Sequence, residues 1–408
     1  MRNAIASAAA SLFLLLPACE APEEAGAEPA TGAAGQGQAV ARQDDGFSVF
    51  LAGDMIVMRP FADVEDPRFL DLVRRMRAAD AAVVNLETLF HRFEGYPQAD
   101  SGGTYMASKP EIAADLAWAG IDMAGTANNH SFDYGSTGVL ENLKALRQAK
   151  ILAAGTGEDL QQARAPRYFY HPKATVALVA AAATFTRYGK ASRSRLDLPG
   201  RPGLNPLGGP KDWAPNLAAI REAVRNADFT IFSVHAHRQG RWYRELAHQA
   251  IDAGADIVLT HGPHRIRGIE IYQDRPIFYS LGDFFYETYF IERLPSEIYD
   301  YYGLGDDATI EDLMELRVAR VKRLKRRATW EGIGAIVKFK NRGLSGIDLV
   351  PLDLGIDKPP PEQGRPLVAS PRRGREIIDV VKSRSEYFGT EIDYVASDNI
   401  GVIGAGVR

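Results

Sequence analysis

Five short apolar runs in this chain each lead to a side chain able to hold a metal ion, and that recurrence restricts the possible folds more than any other feature. The run 47–51 leads to Gly53-Asp54, and 81–84 leads to Asn85-Leu86-Glu87. The run 121–127 stops at Asn128-Asn129-His130, 229–234 ends in His235-Ala236-His237, and 256–260 ends in His261-Gly262-Pro263-His264. Short runs of this kind read as strands. The carboxyl ends of parallel strands in an α/β sheet share one edge, so residues that follow them converge there whatever their separation in sequence. Carboxylate, amide and imidazole donors are therefore expected in one crevice.

Amphipathic segments lie between the runs, at 67–78, 110–119, 136–149, 213–226 and 242–253. Such alternation predicts a layered α/β fold. A further strand is expected at 175–181, with no ligand at its end. After His264, strands at 267–272 and 276–279 joined by Gln273-Asp274-Arg275 read as a hairpin. Two inserts lack periodicity, 187–210 rich in Gly and Pro and 286–307 rich in aromatics, and loops of that length are uncommon unless functional or mobile. A helix expected at 310–327 carries Arg317, Arg320, Lys322, Arg323, Lys325, Arg326 and Arg327. That basic run is either a solvated face or a surface for anionic headgroups or an acidic polymer. Paired strands at 333–340 and 345–351, a boundary at Pro359-Pro360-Pro361 and one tail helix at 371–387 follow. The expected plan is a main domain at 46–355 and a C-terminal extension, 356–408, whose helix packs on it.

A chain of 408 residues is long enough for a sizeable core, and its net charge of −4 gives no global attraction to nucleic acid, which is excluded as a partner. Met1-Arg2-Asn3 followed by the apolar stretch 8–16 has the form of an export signal. Its apolar core falls short of the roughly 20 residues that a spanning helix needs. Leu16-Pro17-Ala18-Cys19 resembles the lipobox of bacterial lipoproteins. That resemblance implies a signal peptide at 1–19, acylation of Cys19 and an exported, membrane-anchored protein. Cleavage nearby to give a soluble exported protein is the alternative. Residues 20–45, rich in Ala, Gly, Glu, Gln and Pro, are expected to be a flexible tether. Cys19 is the only cysteine, so the mature body offers neither disulfides nor thiolate ligands.

Mixed carboxylate, amide and imidazole donors without thiolate fit Mn, Fe, Zn or Mg. A pair of such cations supports hydrolytic displacement. Gly53-Asp54, Asn85-Leu86-Glu87, Asn128-Asn129-His130 with Asp133 and Gly135, His235-Ala236-His237, His261-Gly262-Pro263-His264 and Tyr279-Ser280-Leu281-Gly282-Asp283-Phe284 occur in that order. Together they resemble the motifs of the CapA family, bacterial proteins associated with poly-gamma-glutamate capsule synthesis. The likeness runs from about residue 47 to 352. It implies a four-layer α/β/β/α sandwich of the calcineurin-like metallophosphoesterase type, with two sheets between helical layers. It also implies that Asp54, Glu87, Asn129, His235 and His264 are ligands of two divalent cations, with His261 beside them, and that His130 is the catalytic imidazole.

Some residues depart from the family pattern. His-Pro-His is frequent in the family, whereas here Gly262 replaces the first His and His261 stands one residue earlier. An Asp-x-His opening is absent at Asp54, Glu87 stands where metallophosphoesterases have Asp, and Asp283 stands where CapA relatives commonly have Asn. Asp54 and Asp133 also suit helix or turn caps. Asn128 suits a turn, while His237 and His248 are either orienting residues behind the ligands or ordinary packed imidazoles. Arg238 and Arg265 flank candidate ligands, where a guanidinium either grips substrate carboxylate or phosphate or is merely exposed.

Two functions remain in competition from sequence. The first is an exported metal-dependent hydrolase of an ester, phosphoester or amide in the cell envelope. The second is a non-catalytic accessory protein in the assembly or export of poly-gamma-glutamate or another anionic polymer.

Overall fold

The computed structural model describes residues 46–101, 103–359 and 362–404. The expected signal segment with Cys19, and the expected tether up to residue 45, lie outside the described residues. Among the described residues, no helix is long and apolar enough to cross a membrane.

Two sheets carry the fold. The larger has ten strands, with Phe47–Ile56, Ala81–Leu86, Met123–Gly125 and Leu152–Ala154 side by side and parallel. Away from Ala81–Leu86, Asp283–Tyr286 joins the end of Phe47–Ile56 in parallel, and the hairpin Glu331–Lys340 and Gly343–Asp353 adds antiparallel strands along its beginning. The smaller sheet has six strands, and its centre is the parallel set Thr175–Ala182, Phe229–His235, Ile257–His261 and Arg275–Phe278. Its expected hairpin is present, with Tyr272 opposite Arg275 and Gln273 and Asp274 both at positive φ in the turn.

Successive side chains of a strand point to opposite faces, and here both faces are buried. Val49, Leu51 and Val83 of the larger sheet meet Val176, Leu178, Ile231 and Leu259 of the smaller one in a core between the sheets. Their neighbours Phe50, Ala82 and Val84 face the other way, onto Phe69, Leu72, Met76, Leu116 and Leu146 of the helices Pro67–Ala78, Ile112–Ala119 and Gly135–Gln148. Val179, Phe232, Val234 and Val258 likewise face Ile220, Ala223, Leu246 and Ala250 of the helices Pro210–Asn226 and Arg241–Asp252. The result is the expected order of layers, α/β/β/α. Each fully buried Val, Leu or Phe contributes about 1.5–3 kcal/mol, so three cores hold the layers together.

One device recurs at the amino ends of the strands. Asp80, Asp122, Asp228 and Asp256 each stand just before a parallel strand and accept a backbone N–H from the neighbouring strand. The donors are Ser48, Ala82, Thr175 and Thr230, at 2.8, 2.9, 2.8 and 2.9 Å. Register is thereby pinned at the edge opposite the strands' carboxyl ends.

Three expectations need correction. The helix expected at 310–327 ends at Arg320, followed by the short 3-10 segments Lys322–Lys325 and Arg327–Thr329. The buried Trp330 ties down the segment after the break, its indole donating to the Leu324 carbonyl at 2.9 Å. The basic residues do not form one solvated face either. Arg317 donates to the Thr104 hydroxyl at 2.5 Å, and Arg327 pairs with Glu331 at 2.8 Å. The tail helix is α-helical only over Pro371–Ser385, and Glu386–Phe388 closes it as a 3-10 turn. Within the described part of the C-terminal extension, the helix and the last strand both meet the domain. Ile377, Ile378 and Val381 of the tail helix enter the core between the sheets, and the strand Ile400–Gly404 lengthens the larger sheet beside Gly343–Asp353.

Candidate metal centre

Strands of both sheets end at one crevice. Asp54 lies opposite Asn85 in one strand pair and opposite Asp283 in another, and His235 lies opposite His261 in the smaller sheet. Close backbone approach requires glycine at two places. A Cβ on Gly53 would collide with the Gly282 carbonyl, and without it the Asp54 N–H donates to Gly282 at 3.1 Å. Gly262 has φ +100, a left-handed conformation open to glycine, and its N–H donates to Asp54 Oδ2 at 2.8 Å.

The donors converge from there. Around Asp54, Nδ1 of His235 and of His261 lie 3.7 and 3.8 Å from Oδ1, and Nδ1 of His264 lies 3.8 Å from Oδ2. Around Glu87 Oε1, the Nε2 atoms of His235, His264 and His130 lie at 3.7, 3.7 and 3.9 Å. These separations are too long for hydrogen bonds, which run to about 3.2 Å. They are close to the spacing of donors sharing a cation, since bonds of about 2.0–2.2 Å leave ligand atoms roughly 3–3.6 Å apart. Three overlapping triads have ligand atoms within 4.8 Å of one another: Asp54 with Glu87 and His235, Asp54 with His264 and Asp283, and Glu87 with His237 and His264.

Two imidazoles are oriented by carboxylates. Nδ1 of His130 lies 2.8 Å from Asp133 Oδ2, and Nδ1 of His264 lies 2.7 Å from Asp283 Oδ1. A carboxylate on Nδ1 fixes the ring and its tautomer, so both Nε2 atoms face Glu87 as acceptors. Asp133 is itself held by the Met106 N–H at 2.8 Å and the Ser101 hydroxyl at 3.1 Å.

Burial sets the charges. It pushes the Asp54 carboxyl up to about 6, partly offset by His264 and by the bonds from Gly262 and Asn85. It drives His261 down to about 3, and burial together with the neighbouring imidazoles drives His235 well below its usual range. Neutral imidazole is the form that binds metal. Nε2 of His235 and both ring nitrogens of His261 are buried without a hydrogen bond. Each such group costs about 1–3 kcal/mol, and a divalent cation would relieve that cost. The residues present therefore fit a bound cation.

Of the residues predicted from sequence, Asp54, Glu87, His130, His235, His261 and His264 come together, and Asn129 is buried in the same turn as His130. Asn128 serves that turn, accepting from the His130 N–H at 3.1 Å and donating to the Leu86 carbonyl at 2.7 Å. His237 lies further in than an outer position, because its ring joins Glu87 and His264 in a triad. His248 is elsewhere, stacked on Tyr272 at 3.8 Å and paired with Glu270 at 3.1 Å. Arg238 and Arg265 are exposed, outside the buried cluster. Two contributors were given no role at the site from sequence. Asn85 donates to Asp54 at 2.7 Å and lies 3.3 Å from His235 Nδ1, while Asp283 holds His264. A polar residue within an apolar strand must find a partner, and Asn85 between Val84 and Leu86 is such a signal.

Comparison with known proteins gives three kinds of likeness. The family described as bacterial capsule synthesis protein PGA_cap matches residues 48–288. The protein y4sH of Sinorhizobium fredii, described as uncharacterised, is 34% identical over 88% of this chain and 93% of its own length. The PGA biosynthesis protein CapA of Bacillus subtilis is 27% identical over 69% of this chain and 75% of its own. A solved structure of a Mycoplasma pneumoniae protein described as a novel phosphatase superposes with a TM-score of 0.45 at 11% identity, over 76% of this chain and 95% of that one.

Proposed function

The chain belongs to the bacterial capsule synthesis family PGA_cap, and from that premise we propose that it is a metal-dependent hydrolase of the cell envelope. Its substrate is an ester, phosphoester or amide met in the making of an anionic polymer such as poly-gamma-glutamate. The observation that carries this reading is the convergence of Asp54, Glu87, His130, His235 and His264 on one buried centre. Oxygen and imidazole donors suit Mn, Fe, Zn or Mg, and Asp54, Glu87, His235 and His264 would hold such ions, His264 through its Nε2. When bound, a pair of such ions supplies Lewis acidity at the scissile group and lowers the pKa of water.

The chain's own residues supply the rest. Asp54, Glu87, Asn129, His235 and His264 hold the ions, with His261 and His237 at the margin. Asp133 keeps the His130 Nδ1 engaged, leaving Nε2 to take up the proton that the attacking water sheds and pass it to the departing group. Burial of the cluster keeps bulk water away from every group but the reacting one. The lipobox-like Leu16-Pro17-Ala18-Cys19 supports an exported protein tethered to the membrane through an acylated Cys19.

Metal content and turnover of a generic phosphodiester and of poly-gamma-glutamate test this reading together. His130→Ala should keep its metal and lose about 10²- to 10⁴-fold in kcat. Stoichiometric metal in the wild-type chain with no turnover of either substrate would remove the hydrolase reading. A capsule phenotype retained by His130→Ala would then favour the accessory role.

A further inference from the structure

Beside the metal centre, a cavity of about 640 Å³ opens where residues following His237 and His264 meet the end of the tail helix. Arg241, Arg265, Arg267 and Arg384 line it, together with Tyr387 and Phe388. Arg244 also faces it but is held by Glu270 at 2.6 Å, and Glu270 is further engaged by Tyr279 and His248. Among the described residues, Arg265, Arg267 and Arg384 form no ion pair, and the Arg267 Nε is buried without a hydrogen bond. Burial and the neighbouring Arg265 and Arg384 push the Arg267 guanidinium down from its ordinary range, and Glu331 offsets that repulsion only at Arg384.

Like charges gathered in a concave site are costly unless an anion completes them. We infer that this cavity binds the pendant carboxylates of an acidic chain. A lone phosphate would fill a small part of a space of this size, which is in the range of about 300–1,000 Å³ that takes a drug-sized ligand. The stacked Tyr279 and Phe388, 4.7 Å apart between ring centres, and the adjoining Tyr387 offer apolar walls for the methylene stems between carboxylates. Guanidinium forks suit paired carboxylate oxygens. Gly268 lets the two walls meet, since a Cβ there would strike the Arg384 carbonyl. The ligand class rests on the reading of this protein as a handler of an anionic polymer, and binding does not depend on turnover.

The test is fluorescence anisotropy of labelled γ-linked penta-glutamate against the full chain at low salt, with and without EDTA. Saturable binding in both conditions is expected, weakened by salt. Arg265→Ala and Arg384→Ala should each bind about tenfold more weakly, and Arg265→Lys should lose less than Arg265→Ala. Arg265 is exposed, so its variants read binding even if Arg384→Ala fails to fold. Unchanged affinity in Arg265→Ala and Arg265→Lys overturns the inference. Tripolyphosphate displacing the peptide at equal or lower concentration overturns the carboxylate assignment. His130→Ala should bind like wild type, so failure of the hydrolase reading and failure of this inference give different results.

Discussion

His130 and His264 are held in the same way, by Asp133 and Asp283 on Nδ1, although they enter the crevice from different sheets. Each pairing presents Nε2 to Glu87 without the ring having to choose a tautomer when a cation arrives. Removing the partner of a ligand typically costs about 10- to 100-fold in metal affinity. Asp283→Ala should show a loss of that size when metal is titrated into the stripped protein, with His264 still in place. Asp283→Asn should lose less, because an amide oxygen accepts the same N–H. Equal affinity in Asp283→Ala and wild type would mean that His264 is positioned by packing alone. The residues that converge were legible because each follows an apolar run, and a chain-order pattern of that kind needs no three-dimensional knowledge. Their supports were not. Asp283 begins a strand and Asn85 lies inside one, so neither stands after a run. His237 and His248 have the same residue type and similar surroundings in sequence, yet one joins a triad and the other stacks on Tyr272.

Elements with a strong period were readable from sequence, and those decided by a single distant partner were not. The helix Pro67–Ala78 has the bounds its apolar spacing predicts, with Asp66 capping it through the Arg68 N–H at 2.8 Å. The helix beginning at Ile310 stops at Arg320, and the segment after it is tied to Trp330 through the Leu324 carbonyl, a contact that no local pattern announces. The aspartates that precede parallel strands are a further local signal that joins neighbouring elements. Asp80, Asp228 and Asp256 each have a Lys or Arg partner, at Lys173, Arg342 and Arg275. Asp122 has none among the described residues, and burial pushes its carboxyl from 3.8 up to about 6. A raised carboxyl binds its proton more tightly in the folded chain than in the unfolded one. The stability it contributes is therefore full below pH 3.8 and is lost as pH rises through about 6. Asp122→Asn keeps an acceptor for the Ala82 N–H and has no charge to bury. Its thermal midpoint should match wild type near pH 4 and exceed it above pH 7, and a gain that is the same at both would exclude this origin.

At the scale of the whole molecule, a layered α/β fold was legible because strands covered on both faces must read as unbroken apolar runs, and the helices between them need cover only one face each. The four layers themselves followed only from the family resemblance. The tail was harder to place, since its last strands are short and Gly-rich, and nothing local says which sheet they join. Its helix nonetheless completes two features at once. Ile377, Ile378 and Val381 close the core between the sheets where the larger sheet outruns the smaller, and Arg384, Tyr387 and Phe388 wall the arginine-lined cavity. A chain cut after residue 355 would expose the apolar face of the strand Gly343–Asp353 and leave an unpaired edge, which favours aggregation. Such a truncation should be insoluble or lack a cooperative unfolding transition. Within the intact chain, Ile377→Ala should lower unfolding free energy in urea by about 2–5 kcal/mol. Asp379→Ala, on the exposed side of the same helix, should change it by less than about 0.5 kcal/mol. A soluble truncation with a sharp transition would instead make the tail an accessory that docks on a finished domain, and the cavity would then be a feature that domain acquires only when the tail is present.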